Sequence, residues 1–260
     1  MSDVRAFLRF WQALDSAIER VVETPWGALV SDARFPTIWD VNYARVDAER
    51  DVRLSDVRAA LDPELERTGA RHEHVVCFWP ELQTGLLGEL GRGGNRISWD
   101  IVMIHRGGDP EPPAVEVEEV TTFDDAFWKA VRTSLAAFEV TEPASLDQLM
   151  HLEREVALPD GKRWFSIRRS SGAKPEQEPL ALGALIEHEG VAYLDHIVTV
   201  PEARRRGYGS AMVREILRVA REDGMRQITL LADRGGKPAE LYRRLGFEDL
   251  TYLASSVRRV

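Results

Sequence analysis

A single cysteine, Cys77, in 260 residues excludes an internal disulfide framework and points to a reducing compartment. Set in the apolar run VVCFW, it reads as a small core hydrophobe rather than a nucleophile. Long hydrophobic runs are missing too: no stretch reaches the roughly 18 apolar residues that a membrane span requires. The opening MSDVRAFLRFWQALDSAIERVV scatters charged residues among apolar ones, unlike the uninterrupted core of a secretory signal. A cytoplasmic chain is therefore expected. Positive charge is scarce, with 34 Lys and Arg against 43 Asp and Glu, a formal net charge of −9. That balance disfavours nucleic acid and anionic membrane as partners. No metal is expected.

What is present is a folded-protein composition, 44% hydrophobic, long enough for two domains. The clearest break is RGGDPEPPAV, Arg106 to Val115, whose glycines and prolines suit a linker between residues 1–108 and 112–260. The first part reads as a helix over 3–22 and strands in WGALVSD and PTIWDVNYARV. A helix at LSDVRAALDPELERTG follows, kinked or divided at Pro63, then HEHVVCF, PELQTGLLGELG and RISWDIVMIH as strand, helix and strand. The second part reads as a strand in VEVEEV, a helix from DDAFWKAV and another starting on Ser145 as its cap. Strands RWFSIRR, LALGALIEHE and VAYLDHIVTV come next, with a polar loop, SSGAKPEQEP, before the second of them. The chain closes with the helix SAMVREILRVARED, the strand QITLLAD, the helix PAELYRRLG and the strand LTYLASSVR. The fold class is α/β (α+β).

The two halves overlay without a gap at an offset of 155 positions, which places Asp40 on Asp195, Gly69 on Gly224, Arg71 on Arg226 and Gly91 on Gly246. Element order agrees, as an internal duplication requires. The differences carry more information. Gly207 falls on Val52, Gly209 on Leu54, Arg206 on Asp51 and Tyr242 on Leu87.

The run VPEARRRGYGS, from Val200, sets three arginines and two glycines before an amphipathic helix in an acidic chain. A helix N-terminus offers unpaired amides and about half a positive charge. Glycines let an anion approach the backbone, and arginines add charge-assisted hydrogen bonds to phosphate oxygens. The preceding strand ends there, where open α/β sheets bind ligands. A pyrophosphate fits; a P-loop does not, since GxxxxGK[ST] is absent.

Arg204-Arg205-Arg206-Gly207-Tyr208-Gly209 resembles the Arg/Gln-x-x-Gly-x-Gly/Ala motif of the GNAT superfamily of acyl-CoA N-acyltransferases. Leu241-Tyr242-Arg243-Arg244-Leu245-Gly246-Phe247 is similar to the same family's LYxxLGF signature. The resemblance covers residues 115–260 strongly and 25–105 as a degenerate, shortened copy. It implies two GNAT-like domains, each a mixed, mostly antiparallel sheet flanked by helices, the first a structural partner or cleft wall. It implies acetyl-CoA as co-substrate and a small-molecule or peptide amine as acceptor, in a monomer or homodimer. Arg204, Arg205, Arg206, Gly207, Tyr208, Gly209 and Ser210 would cradle the pyrophosphate, and Ile197, Val198 and Thr199 would pair with the pantetheine arm. Tyr242 would protonate the leaving thiolate, since a phenol near pKa 10 keeps its proton at neutral pH. The base stays open among Asp195, His196, Glu187, His188 and water; Asp195 is the candidate carried forward. Asp195 and His196, adjacent on one strand, would face opposite sides. Gly236 stands where family members often carry asparagine, and Lys237 offers either a phosphate contact or a solvated charge. A non-catalytic acyl-CoA-binding protein is the alternative.

Overall fold

The structure is a computed structural model that describes residues 2–138, 140, 142–168 and 179–260. The predicted polar loop SSGAKPEQEP lies almost wholly outside the described residues. In chain order the elements are α1 (Ser2–Asp15), β1 (Arg20–Thr24), β2 (Gly27–Ser31), β3 (Tyr43–Val46), α2 (Leu54–Thr68), β4 (His72–Cys77), α3 (Thr84–Arg92) and β5 (Arg96–His105). Then follow β6 (Glu118–Glu119), α4 (Asp125–Ser134), α5 (Pro143–Leu152), β7 (Arg163–Ile167), β8 (Ala181–His188) and β9 (Val191–Thr199). The chain ends with α6 (Tyr208–Glu222), β10 (Gln227–Asp233), α7 (Lys237–Arg244) and β11 (Phe247–Arg259).

Two compact units emerge, divided otherwise than the linker composition implies. The first comprises Met1–Val102, Ala232–Gly235 and Asp249–Val260; the second comprises Met103–Leu231 and Gly236–Glu248. The segment after His105 is no free linker at its start, because the amides of Arg106 and Gly107 both donate to Gly246 O at 2.9 and 3.1 Å. A Cβ on Gly246 would stand 3.0 Å from Gly107 Cα, so this approach needs two glycines. The last strand leaves the expected second domain because Ala254–Arg259 pairs antiparallel with Cys77–His72 of β4.

In the first unit the strand order is β1-β2-β3-β4-β11-β5. α2 lies on β2, β3 and β4, and Val57, Leu61, Leu29, Val46, Val75, Cys77 and Leu90 share one core. Cys77 is fully buried there, and burial pushes its thiol up to about 12. The expected helix over 3–22 stops at Asp15; Val21, Val22 and Thr24, all β-branched, favour the pleated conformation and form β1. α2 passes through Pro63 undivided.

In the second unit the order is β10-β9-β8-β7-β6, an open sheet in which only β9 and β10 run parallel. α4 and α5 cover one face, where Phe127, Val131, Met150, Trp164, Leu182 and Ala184 pack together. α6 packs on β7, β8 and β9. Gly183, between Leu182 and Ala184, faces that helix: a Cβ there would stand 2.6 Å from Met212 Cγ. Asp124 caps α4, accepting from Phe127 N at 2.8 Å. α5 begins at Pro143, with Glu142 at the N-cap position and no side-chain cap hydrogen bond, rather than at Ser145, because proline at the first helical position costs no hydrogen bond. Of VEVEEV only Glu118–Glu119 pairs, with Ser166 and Phe165 of β7. α5 continues into a π-helical turn, Glu153–Ala157.

Candidate active site at the end of strand β9

Strand β9 carries the irregularity from which the site is built. It pairs with β8 from His188↔Val191 to Ala184↔Asp195, then resumes at Leu182↔Val198, so His196 and Ile197 both oppose Gly183. This is a β-bulge, and His196 takes φ +52°, left-handed backbone that a non-glycine residue rarely adopts. The bulge overturns the expected alternation of Asp195 and His196. Asp195 Oδ2 lies 2.9 Å from Lys162 Nζ, which itself stands 4.8 Å from the Trp164 ring. The His196 ring lies 4.8 Å from the same Trp164 ring. Both side chains therefore reach the α4–α5 face, whereas Ile197 Cδ1 lies on the α6 face against Gly183.

The opposite edge of β9 opens. It pairs with β10 only from Val191↔Gln227 to Leu194↔Leu230, while β9 continues along β8 to Thr199. Ile197, Val198 and Thr199 thus present a strand edge diverging from β10. Immediately beyond, Pro201–Ala203 makes one 3-10 turn, and the arginine run leads to α6. Arg205 (φ +62°) and Gly207 (φ +85°) are left-handed, a turn geometry whose successive amides form an anion-sized concavity. Gly207 occupies the N-cap with no side-chain cap, so the first α6 amides, Tyr208 to Ser210, face outward from the helix end. A Cβ on Gly209 would lie 3.9 Å from Thr199 Oγ1 and 3.7 Å from Leu241 Cδ2, which sets the glycine between the strand end and α7. Arg204, Arg205 and Arg206 are exposed; Arg204 Nε donates to Thr199 O at 3.2 Å. Lys237, also exposed, begins α7.

Tyr242, on α7, is buried against Phe247 with ring centroids 5.9 Å apart. Burial, reinforced by the negative charge of Asp195, pushes its phenol up to about 12. It holds its proton throughout the neutral range and keeps electrostatic contact with the middle of β9. Asp195 is committed elsewhere. Burial is the largest single influence and raises its pKa, but the Lys162 ammonium, the neighbouring His196 and the hydrogen bonds from both together outweigh burial and hold it below the usual carboxylate value. Lys162 also donates to Glu153 Oε1 at 2.6 Å, and the π-helical turn begins at Glu153. A carboxylate sharing a buried ammonium is a poor proton acceptor. His196 behaves oppositely: burial first, then the Lys162 charge, lowers its pKa to about 4, so it is neutral at pH 7. Its Nε2 lies 2.6 Å from Ser134 Oγ, at the end of α4.

Glu187 and His188 are not brought to this place. They sit at the far end of β8, engaged by Arg163 at 3.4 Å and by Asp160 at 2.9 Å respectively. Ser134, Glu153 and Lys162 were not legible as site residues, since each stands in an ordinary helix or turn sequence. Among the described residues no group of three or more His, Cys, Asp or Glu could hold a metal ion, and no helix is long and apolar enough to cross a membrane.

A cavity of about 340 Å³ lies between α4 and the ends of β8 and β9, bounded by Ala130, Ser134, Leu182, Val198, Pro201 and Arg204.

Comparison with known proteins agrees with this fold. A functionally unknown conserved protein from Staphylococcus epidermidis shares the fold at TM-score 0.66 and 13% identity, over 92% of each chain. A GCN5-related N-acetyltransferase from Kribbella flavida matches at TM-score 0.63 and 20% identity, over 98% of this chain and 95% of its own. One from Sphaerobacter thermophilus matches at TM-score 0.54 and 18% identity, over 80% and 69%. No curated protein is significantly similar to the chain. The sequence model of the acetyltransferase (GNAT) family matches residues 128–247, from α4 through Tyr242 to the first residue of β11. Residues 128–247 of this chain form a GNAT acetyltransferase-family domain.

Proposed function

We propose that the protein is an acetyl-CoA-dependent N-acetyltransferase that transfers the acetyl group directly to a primary amine. The observation that carries this reading is the coincidence of three features at one strand end. β9 parts from β10 after Leu194, the Arg/Gly turn opens onto an uncapped helix N-terminus, and the protonated Tyr242 phenol lies within electrostatic reach of Asp195 on β9. A Cβ at position 209 would meet Thr199 Oγ1 and Leu241 Cδ2 at ordinary contact distance, so glycine there keeps the space between strand end and helix start clear for a diphosphate. The arginines would supply charge to the phosphates, and the free edge at Ile197–Thr199 would hydrogen-bond the pantetheine amides.

The amine nitrogen attacks the thioester carbonyl, a C–N bond forms and the C–S bond breaks. Tyr242 donates its proton to the departing thiolate and regains one from solvent, and the proton on the attacking nitrogen leaves to a base as the amide forms. The tyrosine favours turnover over the alternative of a non-catalytic acyl-CoA-binding protein.

Titration of the purified chain with acetyl-CoA by calorimetry tests the cofactor. Gly209→Glu is the informative control, because Gly207 needs its positive φ and a substitution there would strain the turn itself. Binding that disappears in a still-folded Gly209→Glu protein supports the reading; no binding by the wild type rejects it.

A further inference from the structure

Ser134 is the feature that the proposed chemistry has not yet used. Its Oγ lies 2.6 Å from His196 Nε2 and 2.6 Å from Val131 O, and it lines the cavity between α4 and the ends of β8 and β9. A hydroxyl has one proton for these two neighbours. Either it donates to Val131 O while the imidazole donates to it, or it donates to His196 Nε2 and leaves its lone pairs to the cavity. The two arrangements interconvert by proton motion alone, with no change in heavy-atom positions.

His196 is held for this contact at a cost. Its left-handed backbone in mid-strand is of the kind that carries on the order of 1–3 kcal/mol of strain. The bulge turns the imidazole to the α4 face, between Trp164 at 4.8 Å and Phe138 at 5.0 Å. Asp195, its neighbour, is tied to Lys162, so the bulge separates a paired carboxylate from an uncharged imidazole within two residues.

The cavity walls set the occupant. Ala130, Ala181, Leu182, Val198 and Pro201 are apolar, Thr133, Ser134 and Thr199 supply hydroxyls, and among the described residues the one charged group that lines it is the Arg204 guanidinium, with no carboxylate. An ammonium-rich polyamine would find no countercharge there, whereas an amine on an apolar body would fill it.

We propose that Ser134 and His196 form the proton-accepting relay of the transferase, acting on a primary amine whose apolar body occupies this cavity. The inference rests on the acetyltransferase reading above. As the C–N bond forms, the nitrogen gives its proton to Ser134 Oγ while Ser134 gives its own to His196 Nε2. The imidazolium then loses that proton to water, and Tyr242 separately protonates the thiolate. Ser134 touches the amine; His196 acts through it.

The test is acetyl-CoA turnover by the full chain, followed as thiol release, with phenethylamine and spermidine as probes. The variants are Ser134→Ala, Ser134→Thr and His196→Asn, asparagine being tolerant of positive φ. Both Ser134→Ala and His196→Asn should lower kcat for phenethylamine by about 10²-fold or more, the usual worth of a general base. Affinity for acetyl-CoA should be unchanged, and Ser134→Thr should recover most of the rate. In His196→Asn, kcat should climb with pH as hydroxide replaces the lost acceptor, whereas the wild type stays flat from pH 6 to 8. A merely structural role would not produce that profile. Wild-type kcat in either Ser134→Ala or His196→Asn overturns the relay, and faster turnover of spermidine than phenethylamine overturns the apolar acceptor. If His196→Asn fails to fold, Ser134→Ala decides. Failure of the wild type to bind acetyl-CoA would instead remove the acetyltransferase reading, so the two failures are distinguishable.

Discussion

The first unit contains β3–α2–β4 and the second β9–α6–β10, each a strand, a short loop, a fifteen-residue helix and a parallel strand. Both helices are followed by a left-handed glycine, Gly69 (φ +66°) and Gly224 (φ +78°). What differs is how each helix start is filled. In the first unit Val52 and Leu54 are buried, and the fully buried Gln83 side chain accepts from Val52 N at 3.2 Å. The same amide donates to Ala48 O at 3.2 Å and Arg50 O at 2.6 Å, so the chain answers its own loop. No side chain caps either helix, but in the second unit glycine replaces both apolar residues and three arginines stand in solvent. A loop that is satisfied internally has no use for an anion; one left open by glycine is where the proposed function puts the diphosphate. Leu87 and Tyr242 continue the contrast, one a core aliphatic and the other a buried phenol whose proton is held.

The largest effect that can break this comparison is on Tyr242. Tyr242→Phe should reduce kcat by about 10²- to 10⁴-fold with acetyl-CoA affinity retained, as loss of a general acid does. Thiol-release kinetics beside calorimetry separate the two quantities, and a kcat within a factor of two of wild type would return the tyrosine to the role of its Leu87 counterpart. Next is the cradle. Gly209→Glu should weaken acetyl-CoA binding by at least about 100-fold, since like-charge juxtaposition costs several kcal/mol. Calorimetry of the wild type should give one site per chain; two would mean that the first unit also binds.

The helix, its two flanking strands and the Arg/Gly run were legible because each depends on local pattern: the apolar face of α6, the strand preceding it, and glycine where φ is positive. The bulge was not. Period-two alternation sends Asp195 and His196 to opposite faces, and only the register shift opposite Gly183 brings them to one side. The Lys162–Asp195–Glu153 cluster escaped for a related reason, since its members come from a turn, a strand and a π-helical turn. The offset of 155 places Asp40 on Asp195, yet Asp40 lies in the 3-10 turn Trp39–Val41 while Asp195 lies in β9. Sequence overlay matched the helices and not that strand position. β1 was lost because apolar residues continue past Asp15, where only β-branching marks the change.

A smaller effect sharpens the contrast from the other side. Gln83→Ala should leave acetyl-CoA binding untouched while destabilising the protein by about 1–3 kcal/mol, the cost of a buried polar group left unpaired. Urea unfolding measures it, and a change below about 0.5 kcal/mol, the range of neutral surface substitutions, would show that Gln83 does not hold the loop.

Histidine offers the finest comparison. His74 in the first unit and His196 in the second are both lowered to about 4, chiefly by burial. His74 has both nitrogens engaged, Nδ1 donating to Trp39 O at 2.9 Å and Nε2 accepting from Ser255 Oγ at 2.9 Å. Its contribution to stability is complete above the unfolded value of 6.5 and is lost as pH falls toward 4, because the unfolded chain binds the proton first. Asp15, buried beside Tyr43 and Arg45, has the opposite sign. Burial raises it from 3.8 to about 6, so the stability it confers when protonated declines as pH rises through that window. The penalty of His74→Gln should therefore grow with pH between 4 and 6.5, by up to about 1.4 kcal/mol per pH unit. Asp15→Asn should gain on the wild type between pH 3.8 and 6. Unfolding midpoints of the three proteins across pH 4 to 7 check both slopes, and parallel curves would mean that neither group titrates differently on folding. Because His74 is spent on structure in this way, its neutrality is a matter of stability alone, whereas the neutral His196 faces a hydroxyl at the wall of a cavity.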